Sequence, residues 1–199
     1  MLSSLKDLKA LGMSERLRSF IAFDIEDKAI IERLTNAQME LVKTGADLKL
    51  VKPENIHITI RFLGNISPGM VEKIFEAMKN VEFKPFRVEI RGLGAFPGLR
   101  FPRVVWAGIK RGEEKLKGIF EQLEPQLRKL GFQPDPKGFS PHITIARVRT
   151  GRNKGELVKK LKELIDLEIG VFTAKCLRLK RSTLTPKGPL YTTLKEVCH

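Results

Sequence analysis

The sequence predicts an α+β fold with mainly antiparallel sheets and approximate two-fold symmetry. The word His-Ile-Thr-Ile occurs at residues 57–60 and again at 142–145, an offset of 85 residues. The same order of elements surrounds each copy: strand, helix, turn, strand, helix, strand. Because both hairpins and helices join the strands, antiparallel sheets are favoured. Internal duplication is predicted, with repeats at about residues 16–95 and 101–182.

The strands are predicted from apolar runs or period-two alternation bounded by Gly and Pro. Residues 56–63 show the clearest case, because isoleucines alternate with His57, Thr59 and Arg61. His57 and Thr59 therefore share one face of the strand. The second copy of the word lies in a predicted strand at residues 139–148. The other predicted strands cover residues 18–24, 48–51, 86–93, 103–109, 168–179 and 190–197.

The helices are predicted from apolar residues at helical spacing. The first begins at Asp27 and ends near Gly45, which suits a C-cap. Ser67 and Pro68 suit the cap and first turn of the second. The predicted helices cover residues 27–45, 67–78, 113–130 and 155–165, and the predicted turns and loops cover 53–55, 94–102, 134–138 and 185–188.

The composition indicates a basic protein with a polyanionic partner. Lys and Arg number 37 against 23 Asp and Glu, a formal charge of +14. Such an excess favours RNA, DNA or an anionic surface, although a solvated basic surface is the plainer alternative. Lys and Glu are abundant while Asn and Gln are few, which is typical of a thermophile.

The rest of the chain indicates one cytoplasmic domain. No apolar run approaches the roughly 18 residues of a membrane span. Residues 1–12 do not resemble a signal peptide and are interpreted as an N-terminal extension, with residues 13–199 as a single domain. Cys176 and Cys198 have neither CxxC spacing nor a matching histidine cluster. We therefore expect neither a disulfide scaffold nor a zinc finger. The low cysteine content favours a reducing compartment.

Two histidines facing each other across a cleft suit acid–base catalysis at phosphorus. A neutral imidazole accepts a proton and a protonated one donates it, and both forms are accessible near pH 7. Thr hydroxyls on the same faces can hold phosphate oxygens. The alternatives are buried or ordinary surface histidines, or a metal site, which would lack a third histidine and a carboxylate. The sequence contains no GxSxG, P-loop or dinucleotide fingerprint.

These motifs resemble the 2H phosphoesterase superfamily, and within it the RNA 2′,3′-cyclic phosphodiesterases once named 2′-5′ RNA ligases (the LigT and ThpR type). The likeness covers about residues 16–196, and residues 1–12 have no counterpart in it. The matching segments are residues 20–24, 53–59, 62–64, 141–147 and 182–191.

The resemblance implies a bilobed fold, with two antiparallel sheets, helices outside and a central basic cleft. It implies that the chain termini join one sheet and the middle of the chain the other. The implied reaction is hydrolysis of a terminal 2′,3′-cyclic phosphate of RNA to a 2′-phosphomonoester without metal or nucleotide cofactor, with 2′-5′ ligation as its reverse. His57 would be the proton donor, His142 the acceptor, and Thr59 and Thr144 the phosphate ligands; the near-symmetric halves do not themselves decide that order.

Several further residues are candidates for substrate binding. Arg147 matches the family's Arg, yet strict alternation puts it on the face opposite His142. Arg61 is expected on the His57 face. Tyr191, Phe101 and Trp106 are candidates for stacking on a base, although plain core packing suits Trp106 better. Arg149, Lys180 and Arg181 are candidates for extending the basic surface, although an ordinary solvated surface suits these three cations better.

The expected partner is RNA with a 2′,3′-cyclic phosphate end, of which tRNA fragments are one candidate source, and the protein is expected to be a monomer without a membrane partner. A second hypothesis is a non-catalytic RNA-binding module on the same fold, which the +14 charge alone would support.

Overall fold

The computed structural model describes residues 16–134, 138–186 and 188–199, and the predicted extension at residues 1–12 lies outside them. The strands in these residues are β1 (Leu17–Asp24), β2 (Leu48–Leu50), β3 (His57–Ile66), β4 (Phe86–Phe96), β5 (Val104–Arg111), β6 (His142–Val148), β7 (Glu168–Ala174), β8 (Cys176–Thr185) and β9 (Gly188–Cys198). The helices are α1 (Lys28–Val42), α2 (Met70–Lys79), α3 (Glu113–Lys129) and α4 (Lys154–Glu163), and a short 3₁₀ helix, Pro53–Asn55, precedes β3.

The strands form two antiparallel sheets that join at one residue pair. The terminal sheet has the order β3-β1-β8-β9, and the middle sheet has the order β6-β5-β4-β7, with β2 also paired to β6. The sheets meet where Ile58 of β3 pairs with Ile143 of β6. The order is thus symmetric about the β3–β6 junction. The predicted α+β fold with two antiparallel sheets is confirmed, and the chain termini share one sheet as the resemblance implies.

The helices are exchanged between the two sheets. Helix α1 follows β1 of the terminal sheet, yet it packs against β6, β7 and α4 on the side of the middle sheet. Helix α3 follows β5 of the middle sheet and contacts it, but it also packs against β3 and α2 on the side of the terminal sheet, and α2 packs on β9. The exchange ties the two sheets together beyond their single shared residue pair. No described helix combines the length and apolarity that a membrane span needs.

Helix α1 shows why these segments are helical. The Asp27 side chain accepts a hydrogen bond from the Ile30 amide at 3.1 Å, which satisfies one free donor of the first turn. Ile30, Leu34 and Leu41 form its buried stripe. Burying side chains of this kind stabilises by roughly 1.5–3 kcal/mol each before entropy is counted. The stripe orients the helix and its one buried amide, Gln38, toward the sheet.

Four predicted boundaries differ from the structure. The predicted strand at 168–179 is two strands, because the chain crosses at Lys175 from β7 in the middle sheet to β8 in the terminal sheet. Residues 94–96 belong to β4 rather than to a loop. Gly94 is needed there because a Cβ would lie 2.3 Å from the indole of Trp106. Strand β3 also continues beyond Gly64 to Ile66, and α2 begins at Met70 rather than at Ser67.

The two cysteines, for which neither a disulfide scaffold nor a zinc finger is expected from the sequence, are paired in the structure. Cys176 and Cys198 form a disulfide across 22 residues of sequence. Strands β8 and β9 pair along their whole length, and this register places the two cysteines directly opposite each other. The pairing therefore arises from the hairpin and not from a sequence motif.

Candidate active site

The two His-Ile-Thr-Ile strands meet at their first isoleucines. Ile58 and Ile143 are fully buried, so the residues on either side of them point to the other face of the junction. That face borders a cavity of about 560 Å³ between the two sheets. The cavity is lined by His57, Thr59, His142 and Thr144. The structure thus brings the four residues proposed from the repeated word into one site.

The His57 ring is held by hydrogen bonds at both nitrogens. Its Nδ1 lies 2.7 Å from the carbonyl oxygen of Asn55, which can only accept, so Nδ1 carries a proton. Its Nε2 lies 2.9 Å from Oγ1 of Thr59. Asn55 is itself buried, and its side-chain amide donates to the Pro189 carbonyl at 2.9 Å. The short 3₁₀ helix before β3 therefore fixes both the ring and the start of β9.

His142 has the equivalent arrangement on the other sheet. Its Nδ1 lies 2.7 Å from the Ser140 carbonyl oxygen, so Nδ1 again donates and Nε2 is the nitrogen left for chemistry. The Phe96 ring packs edge-on against this imidazole at a centroid distance of 4.9 Å. Tyr191 packs edge-on against His57 at 5.3 Å, and the Phe20 ring packs against it in a tilted orientation at 4.9 Å.

Burial lowers the pKa of both histidines, and their neighbours differ. Desolvation is the main cause for His57; the Asn55 carbonyl and the Asp24 charge raise its pKa, and the charges of Lys180 and His142 lower it. Desolvation also dominates for His142, where the Ser140 carbonyl raises the pKa and the Arg147 charge lowers it. Both rings are therefore biased toward the neutral form until an anion enters the cavity.

A β-bulge moves Arg61 away from the cavity. Thr59 pairs with Ala22 and Arg61 pairs with Ile21, so Ile60 has no partner on β1. An extra residue reverses the alternation of faces beyond it. Arg61 therefore points into the protein and is only 7% exposed.

The Arg61 side chain is used internally. Its Nε donates to Oε1 of Glu124 at 2.5 Å, and its Nη1 donates to the Phe62 carbonyl at 2.9 Å. Its Nη2 donates to the Gln133 carbonyl. The expectation that Arg61 lies on the His57 face is therefore wrong.

The equivalent bulge brings Arg147 into the cavity. Val105 pairs with Ala146 and Trp106 pairs with Thr144, so Ile145 of β6 has no partner residue on β5. Arg147 consequently lies on the face of His142 and lines the cavity, so the expectation from strict alternation is wrong. The Ile145 carbonyl at the bulge accepts hydrogen bonds from the Val51 amide and from the side-chain amide of Gln38, each at 2.8 Å.

The cavity is basic, as the fold prediction expected. Four cations line it, and the described lining residues include no carboxylate. Tyr191 lies in the wall, and burial raises its pKa, so its phenol stays neutral. The cations are Arg18, Lys49, Lys52 and Arg147. Of these only Arg147 was predicted, because the other three stand in no motif.

The remaining candidates lie elsewhere. Trp106 packs against Phe96 at 5.3 Å and does not line the cavity. Lys180 is buried and binds Asp24. Arg149 is exposed beyond the end of β6, and Arg181 lies on β8 outside the cavity wall. Phe62 lines the cavity and is 59% exposed. Regular alternation along β3 would put Phe62 in the core with the isoleucines, and the bulge at Ile60 turns it to the cavity instead.

The group of side chains spaced closely enough to bind a metal ion does not include the cavity histidines. Within the described part of the chain, one group of three potential ligands occurs, formed by Cys176, Glu196 and Cys198. Its two sulfurs are joined as the disulfide. This group lies at the end of the β8–β9 hairpin opposite to the residues that line the cavity.

Two antiparallel sheets that each contribute a His-x-Thr strand to one basic cavity define the two-histidine class of phosphoesterases. The family model for LigT-like phosphoesterases matches residues 25–106 and, a second time, residues 109–191. The chain therefore belongs to the LigT-like phosphoesterase family.

Relatives and solved structures agree with this assignment. An RNA 2′,3′-cyclic phosphodiesterase of Aeropyrum pernix is 42% identical over 168 residues, which cover 84% of this chain and 96% of the relative. An RNA 2′,3′-cyclic phosphodiesterase of Methanothermobacter thermautotrophicus is 34% identical over 182 residues, which cover 90% of this chain and 97% of the relative. The crystal structure of TT0787 of Thermus thermophilus has a TM-score of 0.76 at 27% identity, with coverage of 92% and 97%. The organisms fit the thermophilic origin that the composition predicts.

Proposed function

We propose that the protein hydrolyses the 2′,3′-cyclic phosphate at the end of an RNA to a 2′-phosphomonoester. The observation that supports this most is the shared cavity, which is lined by two imidazoles whose pKa burial lowers, two Thr hydroxyls and four cations. The relatives named RNA 2′,3′-cyclic phosphodiesterases support the same substrate.

The proposed reaction is an in-line displacement at phosphorus. Water attacks the phosphorus while one histidine Nε2 takes its proton, and the bond to the ribose 3′ oxygen breaks. The other histidine donates a proton to that oxygen, which leaves the phosphate on the 2′ oxygen. Thr59 and Thr144 donate hydrogen bonds to the non-bridging oxygens, and Arg147 lowers the cost of the charge that accumulates there. Tyr191 forms part of the wall that positions the nucleotide.

We further propose that His57 is the acid and His142 the base. The Asp24 charge favours the protonated form of His57, whereas the Arg147 charge favours the neutral form of His142. The same steps with a 5′-hydroxyl in place of water would break the bond to the 3′ oxygen and leave a 2′-5′ linkage between two RNA ends.

The test is hydrolysis of a cyclic-phosphate oligonucleotide with EDTA present. His57→Ala and His142→Ala should each lower kcat by roughly 10²–10⁴-fold. His199→Ala is the matched control, because it removes the third histidine, which is exposed at the chain end. Unchanged turnover in both cavity variants would reject the proposal. Phosphatase sensitivity and mass distinguish the 2′-phosphate from ligated RNA.

A sulfur leaving group separates the two roles. In a substrate with sulfur in place of the 3′ oxygen, the leaving group departs as a thiolate and needs little protonation by an acid. This substrate should restore much of the rate of His57→Ala and little of the rate of His142→Ala. The opposite pattern would reverse the assignment.

The second candidate function is RNA binding without catalysis, which the +14 charge favours. Salt-sensitive binding that persists in both histidine variants, with no product from the wild type, would establish it. We also propose a single bilobed domain over residues 13–199 with repeats at about 16–95 and 101–182, a monomeric state and a cytoplasmic location. Light scattering in solution tests the monomer.

A further inference from the structure

A cationic patch with an exposed aromatic ring lies beyond the cavity, at the end of β6. It consists of Arg149 and Lys154, which flank a turn after β6, and of Arg100 and Phe101, which lie in the loop between β4 and β5. We call these four residues the edge patch. All are outside the wall of the cavity.

The backbone connects the edge patch to the cavity. Arg147 lines the cavity, and Arg149 follows two residues later, which is about 7 Å along an extended chain. The Arg149 amide donates to the Asp47 carbonyl at 2.9 Å, and the Val148 amide donates to the Arg103 carbonyl at 3.0 Å. The loop that carries Phe101 is therefore held beside the end of β6.

Phe101 is an exposed ring between cations. It is 58% exposed, with the Lys154 ammonium 4.3 Å and the Arg100 guanidinium 5.5 Å from its ring centroid. Surfaces that bind single-stranded nucleic acid combine these two features, because a base stacks on the ring while the cations attract the backbone.

The cations of the patch are not neutralised. Arg100, Arg149 and Lys154 have no ion pair with any residue that the structure describes. On the helices the situation differs, since Lys79 pairs with Glu76 and Lys117 with Glu113, both at 2.6 Å. The charge of the edge patch is therefore available to a polyanion.

We propose that the edge patch binds the RNA strand upstream of its terminal cyclic phosphate, with a base on Phe101 and backbone phosphates on Arg149 and Lys154. This inference rests on the proposed function, because it assumes that the RNA end occupies the cavity. It implies that the protein distinguishes an oligonucleotide from a single nucleotide.

The test compares two substrates with the same terminal nucleotide. One is a 2′,3′-cyclic mononucleotide, and the other is an oligonucleotide of about ten residues, within the usual footprint of a single-strand-binding surface. The variants are Phe101→Ala and the double variant Arg149→Gln/Lys154→Gln. The matched control is Lys73→Gln, which removes an exposed cation from α2 on the terminal-sheet side.

The patch variants should lower kcat/KM for the oligonucleotide through KM and leave the mononucleotide unchanged. We expect a loss of roughly five-fold to a hundred-fold for Phe101→Ala. In the double variant, the slope of log(kcat/KM) against log salt should become shallower by about 1.4, since each phosphate contact on a single strand contributes about 0.7. Lys73→Gln should change neither substrate.

Equal losses on both substrates, an unchanged oligonucleotide KM, or an equal loss in Lys73→Gln would overturn the proposal. If the wild type hydrolyses neither substrate, the proposed function fails by itself. Fluorescence anisotropy with the same oligonucleotide then tests the edge patch alone. Weaker binding in the patch variants would support it, and unchanged binding would overturn it.

Discussion

Replacing Arg61 by Met should destabilise the protein without a direct effect on catalysis. Arg61 would be a substrate ligand if β3 alternated regularly. In the structure its guanidinium is buried and bonds to Glu124 and to the carbonyls of Phe62 and Gln133. Arg61→Met fills a similar volume, but it leaves the Glu124 carboxylate buried without its cation.

The expected cost is about 3–5 kcal/mol, the usual loss when one member of a buried ion pair is removed. No discount for solvent screening applies, because the Arg61 and Glu124 side chains are only 8% and 11% exposed. For a chain of this length the cost corresponds to a fall in Tm of roughly 6–20 °C. Arg61→Met/Glu124→Met should recover a large part of it, because no unpaired charge remains buried.

Thermal and urea unfolding measure the loss, and cyclic phosphodiester hydrolysis below the transition measures function. Arg111→Met is the control, because Arg111 pairs with Glu89 at 3.1 Å while its side chain is 85% exposed. Such a surface pair contributes about 0–1 kcal/mol. An unchanged Tm together with a ten-fold or larger rise in KM for Arg61→Met would refute the reasoning and place the guanidinium on the substrate.

Three other predictions concern the histidines, Asn55 and the disulfide. Burial lowers the pKa of His57 and His142 below the value of about 6.5 that a histidine has in the unfolded chain, so the neutral rings contribute stability that is fully present above that pH. Tm should therefore fall as the pH drops from about 7 through 6. The fall should be smaller in a variant that lacks both histidines. Asn55→Ala should cost about 1–3 kcal/mol, because the Pro189 carbonyl loses its donor, and hydrogen exchange should show loosening at the start of β9; normal protection there would contradict the role assigned to Asn55. Reduction of Cys176–Cys198, or Cys198→Ser, should remove up to about 3 kcal/mol for a 22-residue separation, seen as a lower Tm in reductant, and a Tm insensitive to reductant would show that the hairpin does not depend on the bond.

The repeated word was enough to predict which four residues lie together at the centre of the candidate site. Period-two alternation correctly assigns His57 and Thr59 to one face and Ile58 to the core, because no bulge interrupts the strand before residue 60. The same is true of His142 and Thr144. The prediction that both strands share a cleft required only that duplicated halves pack symmetrically.

Residues beyond the bulges could not be placed from the sequence. Ile60 and Ile145 look like ordinary core positions, and the bulge is visible only from the pairing of β3 with β1 and of β6 with β5. One signal was present: Gln38 is a polar residue on the buried stripe of α1, and it meets the Ile145 carbonyl. Its partner cannot be identified without the fold.

The sheet that each strand joins could not be predicted from the sequence either. The apolar pattern continues through Lys175, so the sequence predicts one strand where the chain leaves one sheet for the other. Likewise, Cys176 and Cys198 become neighbours only through the register of a ten-pair hairpin. Local patterns determine the elements, but which edge a strand joins depends on the packing of the whole chain.

The paired bulges give the enzyme two corresponding positions that have acquired different chemistry. Phe62 and Arg147 are separated by the same 85 residues as the two histidines, and both project into the cavity from opposite sheets. Two identical chains that met at a two-fold axis would present the same group twice to an asymmetric ligand. Because both halves belong to one polypeptide, one side can offer a flat apolar ring and the other a fixed positive charge.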